Sequence, residues 1–162
     1  MEKEKKRLSR VDYYLIMAKI ASYRATCVKA RHGCVLVNSE SNRVVSIGYN
    51  GTPPGKPHCS DDDVGCLIAD GHCIRTIHAE IQAISRLRGV FCSLTAYVTA
   101  MPCINCYKAL VACNVTEINC IDLYVDSNRD KLVEFYGVPI YRHTVTSKYK
   151  EAWKTIEDLL GL

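Results

Sequence analysis

Two stretches, His78-Ala79-Glu80 and Pro102-Cys103-Ile104-Asn105-Cys106, determine how this chain is interpreted. They supply three soft metal ligands (His78, Cys103 and Cys106) and one carboxylate, Glu80, that need not bind the metal. A structural zinc normally has four protein ligands, whereas a hydrolytic zinc keeps one position open for water. The pattern therefore predicts a zinc ion that activates water. The alternatives are a structural zinc completed by a fourth cysteine or histidine, and a CxxC redox pair.

Both stretches are predicted to begin a helix. Pro102 has no amide hydrogen and suits the first turn of a helix. Cys103 and Cys106 stand three residues apart and so project from one face of that helix. The apolar residues that follow His78 also have helical spacing: Ile81, Ala83, Ile84 and Leu87. Two helix N-termini are therefore expected to face one metal ion.

The remainder of the chain alternates between helical and strand patterns, which indicates an α/β layered domain. Ser9 is a candidate cap for a first helix. The predicted helices cover residues 10–25, 103–113 and 148–160, besides the one beginning near His78. The predicted strands cover residues 34–37, 44–48, 94–99, 117–123 and 138–141. Residues 50–75 form a long irregular stretch, which is usually functional inside a compact domain.

The 162 residues are predicted to form one domain over residues 9–145, with a charged N-terminal tail over residues 1–8 and a C-terminal helix over residues 146–162 packed on the same domain. The charged start lacks the apolar region of a signal peptide, and no apolar run has membrane-spanning length. We therefore expect a cytoplasmic protein with no membrane partner. Four of the ten cysteines lie in apolar segments and are expected to pack as small hydrophobes: Cys34, Cys92, Cys113 and Cys120.

The charge distribution argues against a polynucleotide partner. The net charge is +4, but residues 1–10 contribute +3 of it and leave +1 for the remainder. A nucleic-acid-binding domain is expected to carry a basic patch on its folded surface. The sequence therefore favours a small-molecule substrate.

With these motifs the chain resembles the cytidine/deoxycytidylate deaminase superfamily, and within it the deoxycytidylate (dCMP) deaminases. The resemblance depends on the two metal motifs together with Gly48-Tyr-Asn-Gly51 and Asp70-Gly-His-Cys73. It implies a three-layer α/β/α cytidine-deaminase-like fold with a central mixed sheet. It also implies zinc-dependent hydrolytic deamination of dCMP to dUMP with release of ammonia, a step in pyrimidine deoxynucleotide metabolism that supplies dTTP.

The resemblance assigns roles to individual residues. His78, Cys103 and Cys106 would hold the zinc, and Glu80 would be the catalytic residue that moves protons between the water, the base and the departing amino group. Substrate contacts are expected from Asn50, from the backbone of Ala79 and Thr99, and from Tyr124. Asn50 can also be explained as a turn residue beside Gly51. Three cations near the motifs are available for a 5′-phosphate: Lys29, Arg31 and Arg75.

Relatives of this kind can carry a second, structural zinc. Its four ligands here would come from Cys27, Cys59, Cys66, His72 and Cys73, and the alternative is a set of reduced loop cysteines. Many relatives are hexamers activated by dCTP and inhibited by dTTP, so the resemblance implies a homo-oligomer, effector nucleotides and Mg²⁺ accompanying an effector. The chain departs from the common pattern at His32, which introduces a polar group near the pocket, and at Gln82.

Two further classes of function stay open from the sequence. One is another nucleobase deaminase, acting on free cytidine or on tRNA adenosine. The other is a non-enzymatic, zinc-stabilised module that binds nucleotides or is associated with DNA uptake. The second predicts retained zinc without ammonia release, and the free carboxylate of Glu80 weighs against it.

Overall fold

The computed structural model describes residues 7–161, so most of the predicted charged tail, residues 1–6, lies outside the described part. Five helices and seven strands follow one another along the chain. They are α1 (Arg10–Ser22), β1 (Gly33–Asn38), β2 (Arg43–Tyr49), β3 (Ile68–Ala69), β4 (His72–Cys73), α2 (Ala79–Ser85), β5 (Leu94–Ala100), α3 (Ile104–Ala112), β6 (Val115–Asp122), α4 (Ser127–Tyr136), β7 (Ile140–Arg142) and α5 (Ser147–Leu160).

Five of the strands form a central mixed sheet in the order β2-β1-β5-β6-β7. β1 is antiparallel to both of its neighbours, whereas β5, β6 and β7 run parallel. The parallel pairs place the carboxyl ends of β5 and β6 at the same edge, where α/β folds commonly bind ligands. The loops that follow these two ends carry Pro102 and Tyr124.

The side chains of the sheet alternate between two apolar layers. In β1, Cys34 and Leu36 face the layer that contains α2 and α3, while Val35 and Val37 face the layer that contains α1. Helix α5 packs in the second layer through Tyr149 and its neighbours. The predicted three-layer α/β/α architecture with a central mixed sheet is confirmed.

Several local predictions agree with the structure. The side chain of Ser9 accepts a hydrogen bond from the amide of Asp12 at 3.0 Å and so caps α1. Cys34 and Cys120 are buried and Cys113 is half-buried, but Cys92 is exposed, so its predicted packing as a small hydrophobe is wrong. Cys92 lies in the irregular segment just before β5, outside the period of the strand.

Two features lie outside the elements predicted from the sequence, the β3–β4 hairpin within the long loop and the whole of α4. The apolar residues of α4 are confined to its second half, and its one fully buried side chain is Arg129, so no continuous apolar stripe marks the helix. Its boundary signals are present: Asp126 caps the start, and Gly137 adopts a positive φ at the end. Within residues 7–161, no helix is both long and apolar enough to cross a bilayer.

Gly48 allows α2 to pack directly on β2. A Cβ atom at this position would lie 2.2 Å from the carbonyl oxygen of Ala79 and 2.4 Å from the amide nitrogen of Ala83. Both contacts are with backbone atoms of a helix, so they cannot be relieved by a side-chain rotation. The start of α2, and with it His78 and Glu80, is therefore positioned by the absence of a side chain at residue 48.

We expect Gly48→Ala to push α2 away from the sheet and destabilise the protein by about 1–3 kcal/mol, which lowers Tm by roughly 3–10 °C. Thermal unfolding monitored by circular dichroism measures this effect. Arg43→Ala, a change at an exposed residue of the same strand, is the control and should leave Tm nearly unchanged. A Gly48→Ala variant with the wild-type Tm would contradict the proposed close packing.

Candidate active site

The metal-binding motifs meet at the starts of α2 and α3. His78 and Cys103 are the N-cap residues of these helices, and Cys106 lies in the first turn of α3. The Nδ1 atom of His78 is 3.3 Å from the Sγ of Cys106 and 3.7 Å from the Sγ of Cys103. All three ligand atoms lie within 4.8 Å of one another. The structure thus brings together residues that are far apart in the chain.

These separations fit a zinc ion. Zinc bonds of roughly 2.0–2.3 Å in tetrahedral geometry place nitrogen and sulfur ligand atoms about 3.5–3.8 Å apart. The observed distances between His78 and the two cysteines are close to this spacing. Three ligands from the protein leave a fourth position for water.

Glu80 is buried beside this group without belonging to it. It lies in the first turn of α2 and is 8% exposed. Burial raises the pKa of its carboxyl group, while its own backbone amide and the nearby His78 act in the opposite direction. A carboxyl group with a raised pKa exchanges protons more readily near neutral pH, which suits a general acid–base.

The two cysteine ligands differ in the acidity of their thiols. The hydrogen bond from the Cys106 thiol lowers the pKa of Cys103 to about 4, and that same interaction, with burial, raises the pKa of Cys106. The hydrogen bond to Cys103 raises the pKa of His78. Cys103 is therefore the first of the pair to become a thiolate, the form that binds a metal.

A cleft opens above the metal ligands. All of the predicted substrate contacts line it: Asn50, Ala79, Thr99 and Tyr124. The side-chain amide of Asn50 already binds the backbone, donating to the carbonyl of Ala30 at 2.8 Å and accepting from the amide of His32 at 2.7 Å. Asn50 therefore shapes the cleft wall formed by residues 30–32. The hydroxyl of Thr99 accepts from the amide of Gly33 at 3.1 Å, so its side chain also supports this wall.

Of the three cations that the sequence offered for a phosphate, Lys29 lines the cleft. Its ammonium group donates to the carbonyl of Gly71 in the turn between β3 and β4. Arg31 instead places its guanidinium 5.7 Å from the ring centroid of Tyr23, and Arg75 is exposed outside the cleft. The sequence alone does not show which of these three cations reaches the cleft. The answer depends on the path of residues 27–32 past the β3–β4 hairpin.

The cysteines of the long loop form a second cluster with Cys27. The Sγ atoms of Cys27 and Cys66 are 3.7 Å apart, as are those of Cys59 and Cys73. This separation is too long for a disulfide bond, and it matches the roughly 3.8 Å expected between two sulfurs on one tetrahedral zinc. Cys27, Cys66 and Cys73 lie within 4.8 Å of one another. His72 is not among these three residues, and its ring centroid is 6.3 Å from that of Tyr124 in the cleft wall.

The thiols of this second cluster also differ in acidity. Burial opposes ionisation of Cys73, but hydrogen bonds from the amide of Arg75 and from neighbouring thiols lower its pKa to about 7. Burial and the hydrogen bond to Cys73 raise the pKa of Cys59 to about 12. Cys73 is thus the thiol of this pair that ionises near neutral pH.

The two departures from the common family pattern have separate structural roles. The side-chain oxygen of Gln82 accepts from the amide of Tyr49 at 3.0 Å, which ties α2 to the end of β2. His32 lines the cleft beside Thr99, with Nδ1 3.5 Å from the threonine hydroxyl. Burial lowers the pKa of His32, and the nearby His78 adds to this effect, so a neutral imidazole is favoured in the cleft wall.

Comparison with known proteins agrees with this site. Residues 8–122 match the family model of the cytidine and deoxycytidylate deaminase zinc-binding region. The chain belongs to this family. It is 35% identical over 115 residues to ComE operon protein 2 of Bacillus subtilis, covering 69% of this chain and 59% of that protein. It is 29% identical over 141 residues to a deoxycytidylate deaminase of Schizosaccharomyces pombe, covering 82% of this chain and 43% of the relative.

The chain therefore spans about half the length of these curated relatives. A dCMP deaminase from the cyanophage S-TIM5, solved in complex with dCMP and dUMP, superposes with a TM-score of 0.67 at 20% identity. The match covers 82% of this chain and 95% of the phage protein. This likeness confirms the predicted fold type. The zinc-binding family and the geometry of the His78 group together support Zn²⁺ as the metal at this site.

Proposed function

We propose that this protein deaminates dCMP hydrolytically to dUMP and ammonia. The observation that carries the proposal is the buried carboxyl group of Glu80 beside a three-ligand metal group at the base of a cleft. A structural zinc site has no need for an unligated carboxyl group next to it. The deoxycytidylate deaminases among the relatives favour dCMP over the other substrates of the family.

Each residue has a separate task in the proposed reaction. His78, Cys103 and Cys106 would hold Zn²⁺, which when bound lowers the pKa of water and so provides a nucleophile at neutral pH. Glu80 takes up one proton of that water and passes it to N3 of the cytosine. It then takes the remaining proton from the hydroxyl added at C4 and passes it to the amino group, which leaves C4 as ammonia while the oxygen stays as a carbonyl. The backbone of Ala79 and Thr99 orients the pyrimidine edge, and Asn50 holds the cleft wall beside the sugar.

Glu80→Gln should keep the zinc and lose turnover, because the amide has nearly the same shape but cannot exchange the proton. We expect the rate of ammonia release from dCMP to fall by about 100-fold or more. Metal analysis of the same sample should show the wild-type zinc content. Glu134→Gln makes an identical chemical change at an exposed residue of α4 and should retain full activity.

The same assay separates the competing functions. dCMP, cytidine, dCTP and a tRNA anticodon stem are compared as substrates at equal concentration. Faster turnover of cytidine or of the tRNA than of dCMP would identify that molecule, and not dCMP, as the substrate. A zinc-loaded wild-type protein that releases ammonia from none of them would favour a binding module. Undiminished activity of Glu80→Gln would remove the proposed role of the carboxyl group.

We further propose that Lys29 binds the 5′-phosphate. Lys29 lines the cleft, and its ammonium group is held by the carbonyl of Gly71. From this position the ammonium group can reach a phosphate in the cleft. A dianionic phosphate needs cationic or amide partners, and a charge-assisted hydrogen bond of this kind contributes about 1.5–3 kcal/mol. His72 and Tyr124 form the neighbouring part of the wall.

Lys29→Met retains the apolar stem and removes the charge. We expect KM for dCMP to rise about tenfold, and turnover of deoxycytidine, which has no phosphate, to change little. Lys56→Met, at an exposed lysine of the long loop outside the cleft, is the matched control. An equal effect of Lys29→Met on both substrates would indicate that Lys29 shapes the cleft instead of binding phosphate.

We also propose a second, structural zinc held by Cys27, Cys59, Cys66 and Cys73. The two sulfur–sulfur distances of 3.7 Å and the low pKa of Cys73 support this choice of ligands. His72, the fifth residue considered from the sequence, is directed to the cleft wall instead. A fully ligated zinc would cross-link the long loop to the segment that carries Lys29.

Metal analysis tests this second site. Wild-type protein should bind about two zinc ions per chain, and Cys66→Ser about one, with a lower Tm because the loop loses its cross-link. Cys92→Ser changes an exposed cysteine outside the cluster and should retain two zinc ions. Wild-type protein that binds a single zinc ion, lost on substitution of His78, would exclude the structural zinc.

We propose in addition a hexameric homo-oligomer, activated by dCTP and inhibited by dTTP, with Mg²⁺ accompanying the effector. Family membership supports this, and exposed apolar side chains such as Val125, Phe135 and Leu159 are suited to burial between subunits. A reducing cytoplasmic location is consistent with cysteines that are all free in residues 7–161.

A further inference from the structure

Helix α4 begins against the loop that carries the zinc ligands. One oxygen of the Asp126 carboxylate accepts hydrogen bonds from the amides of Asn128 and Arg129, at 3.2 and 3.0 Å, and so caps α4. Its other oxygen accepts from the amide of Ile104 at 2.9 Å. Ile104 is the first residue of α3 and directly follows Cys103. A single carboxylate thus joins the N-termini of two helices, one of which carries both cysteine ligands.

The second contact of α4 with the site is made by Arg129. Its side chain is buried, with the residue 2% exposed. One terminal nitrogen, Nη1, donates to the carbonyl of Pro102 at 3.1 Å and to the carbonyl of Tyr124 at 2.8 Å. The Nε and Nη2 atoms donate to one carboxylate oxygen of Asp130 at 3.0 and 2.6 Å. These bonds use four of the five N–H groups of the guanidinium.

These two carbonyls belong to two different loops of the active site. Pro102 immediately precedes the ligand Cys103, and Tyr124 lines the cleft in contact distance of His72. Within residues 7–161, Arg129 is the hydrogen-bond donor found for each of them. The Nη1 atom of Arg129 therefore joins the metal-binding loop to the aromatic wall of the cleft, and the two bonds to Asp130 fix the orientation of the guanidinium plane.

A charged group is an unusual choice for this purpose. Removing a guanidinium from water is unfavourable, and an apolar residue of similar volume often stabilises a core equally well or better. Packing alone does not require Arg129, because Leu132 and Val133 already contact the apolar layer from the same helix. Two of the hydrogen bonds of Arg129 are directed to irregular segments of backbone, which apolar packing cannot hold at a defined distance.

We propose that Asp126 and Arg129 are positioning residues of the deaminase site, holding the start of α3 at a fixed distance from Tyr124. The inference rests on the proposed function. Neither residue lines the cleft; both act through the loop residues Pro102 and Ile104 and through Tyr124. Weakening them leaves the zinc ligands in place but changes the distance between the metal and the substrate wall.

The test compares Arg129→Lys with wild-type zinc-loaded protein. Lysine keeps the charge but, as a single ammonium, cannot reproduce the planar fork. We expect an unchanged zinc content and a fall of about tenfold in kcat/KM for dCMP, mostly through a higher KM. Lys131→Met, which removes a positive charge from an exposed position of α4, is the control and should match wild type. If Arg129→Lys only reduced the folded fraction, KM would stay unchanged and the rate per folded molecule would be normal.

A double-mutant cycle with Tyr124→Ala shows whether Arg129 acts through the aromatic wall. If it does, Arg129→Lys lowers kcat/KM by a smaller factor in the Tyr124→Ala background than in wild type. If the two residues act independently, the fold-losses of the single variants multiply in the double variant. Asp126→Asn provides a second route that keeps Arg129 intact. It replaces one oxygen acceptor by an amide donor, and it should reduce kcat/KM while the zinc content is retained.

The outcomes distinguish the two proposals. Wild-type protein that deaminates none of the substrates overturns the proposed function and this inference with it. Active wild-type protein, with Arg129→Lys and Asp126→Asn both at wild-type kcat/KM, overturns the inference alone. Loss of zinc in both variants, or fully multiplicative effects in the cycle, would also overturn it, because the residues would then support the fold and not the geometry of the cleft.

Discussion

Three ligand atoms from two helix starts must lie about 3.5–3.8 Å from one another to share one zinc ion, and the remaining architecture serves this requirement. His78 begins α2, while Cys103 and Cys106 belong to the start of α3, with β5 between the two helices in the chain. The sheet brings the two starts to one edge. Gly48 lets α2 approach the sheet closely enough for His78 to reach the cysteines. The site is thus a consequence of how closely the helices and the sheet pack.

The cleft above the ligands is built mainly from irregular backbone. Such segments expose polar groups that must be satisfied, and here side chains satisfy them. Asn50 binds the backbone of residues 30–32, and Thr99 binds the amide of Gly33. The four-cysteine cluster shares this wall, because Cys27 and Cys73 also line the cleft. A substitution in the cluster is therefore expected to alter substrate binding in the cleft.

The buried guanidinium of Arg129 follows the same principle. A hydrogen-bonding side chain can hold two loops at a set distance, whereas apolar contacts tolerate sliding. Asp126 adds a direct bond to the first residue of α3. Both residues belong to the start of α4, the helix with the fewest apolar residues facing the core. Its contribution is to the relative placement of loops more than to burial of apolar surface.

By itself the sequence determined the features that depend on neighbouring residues: the helix starts that carry His78, Cys103 and Cys106, the alternating strands of the sheet and the cap at Ser9. These follow from spacing, proline and apolar period, which are local. Only the tertiary structure decided that Lys29 lines the cleft, that the ring of His72 lies near Tyr124, and that Arg129 is buried at the start of a helix, α4. Each of these depends on partners distant in the chain. A helix whose one fully buried side chain is a guanidinium has no clear apolar period to reveal it, because that side chain binds loops that only the folded chain brings near.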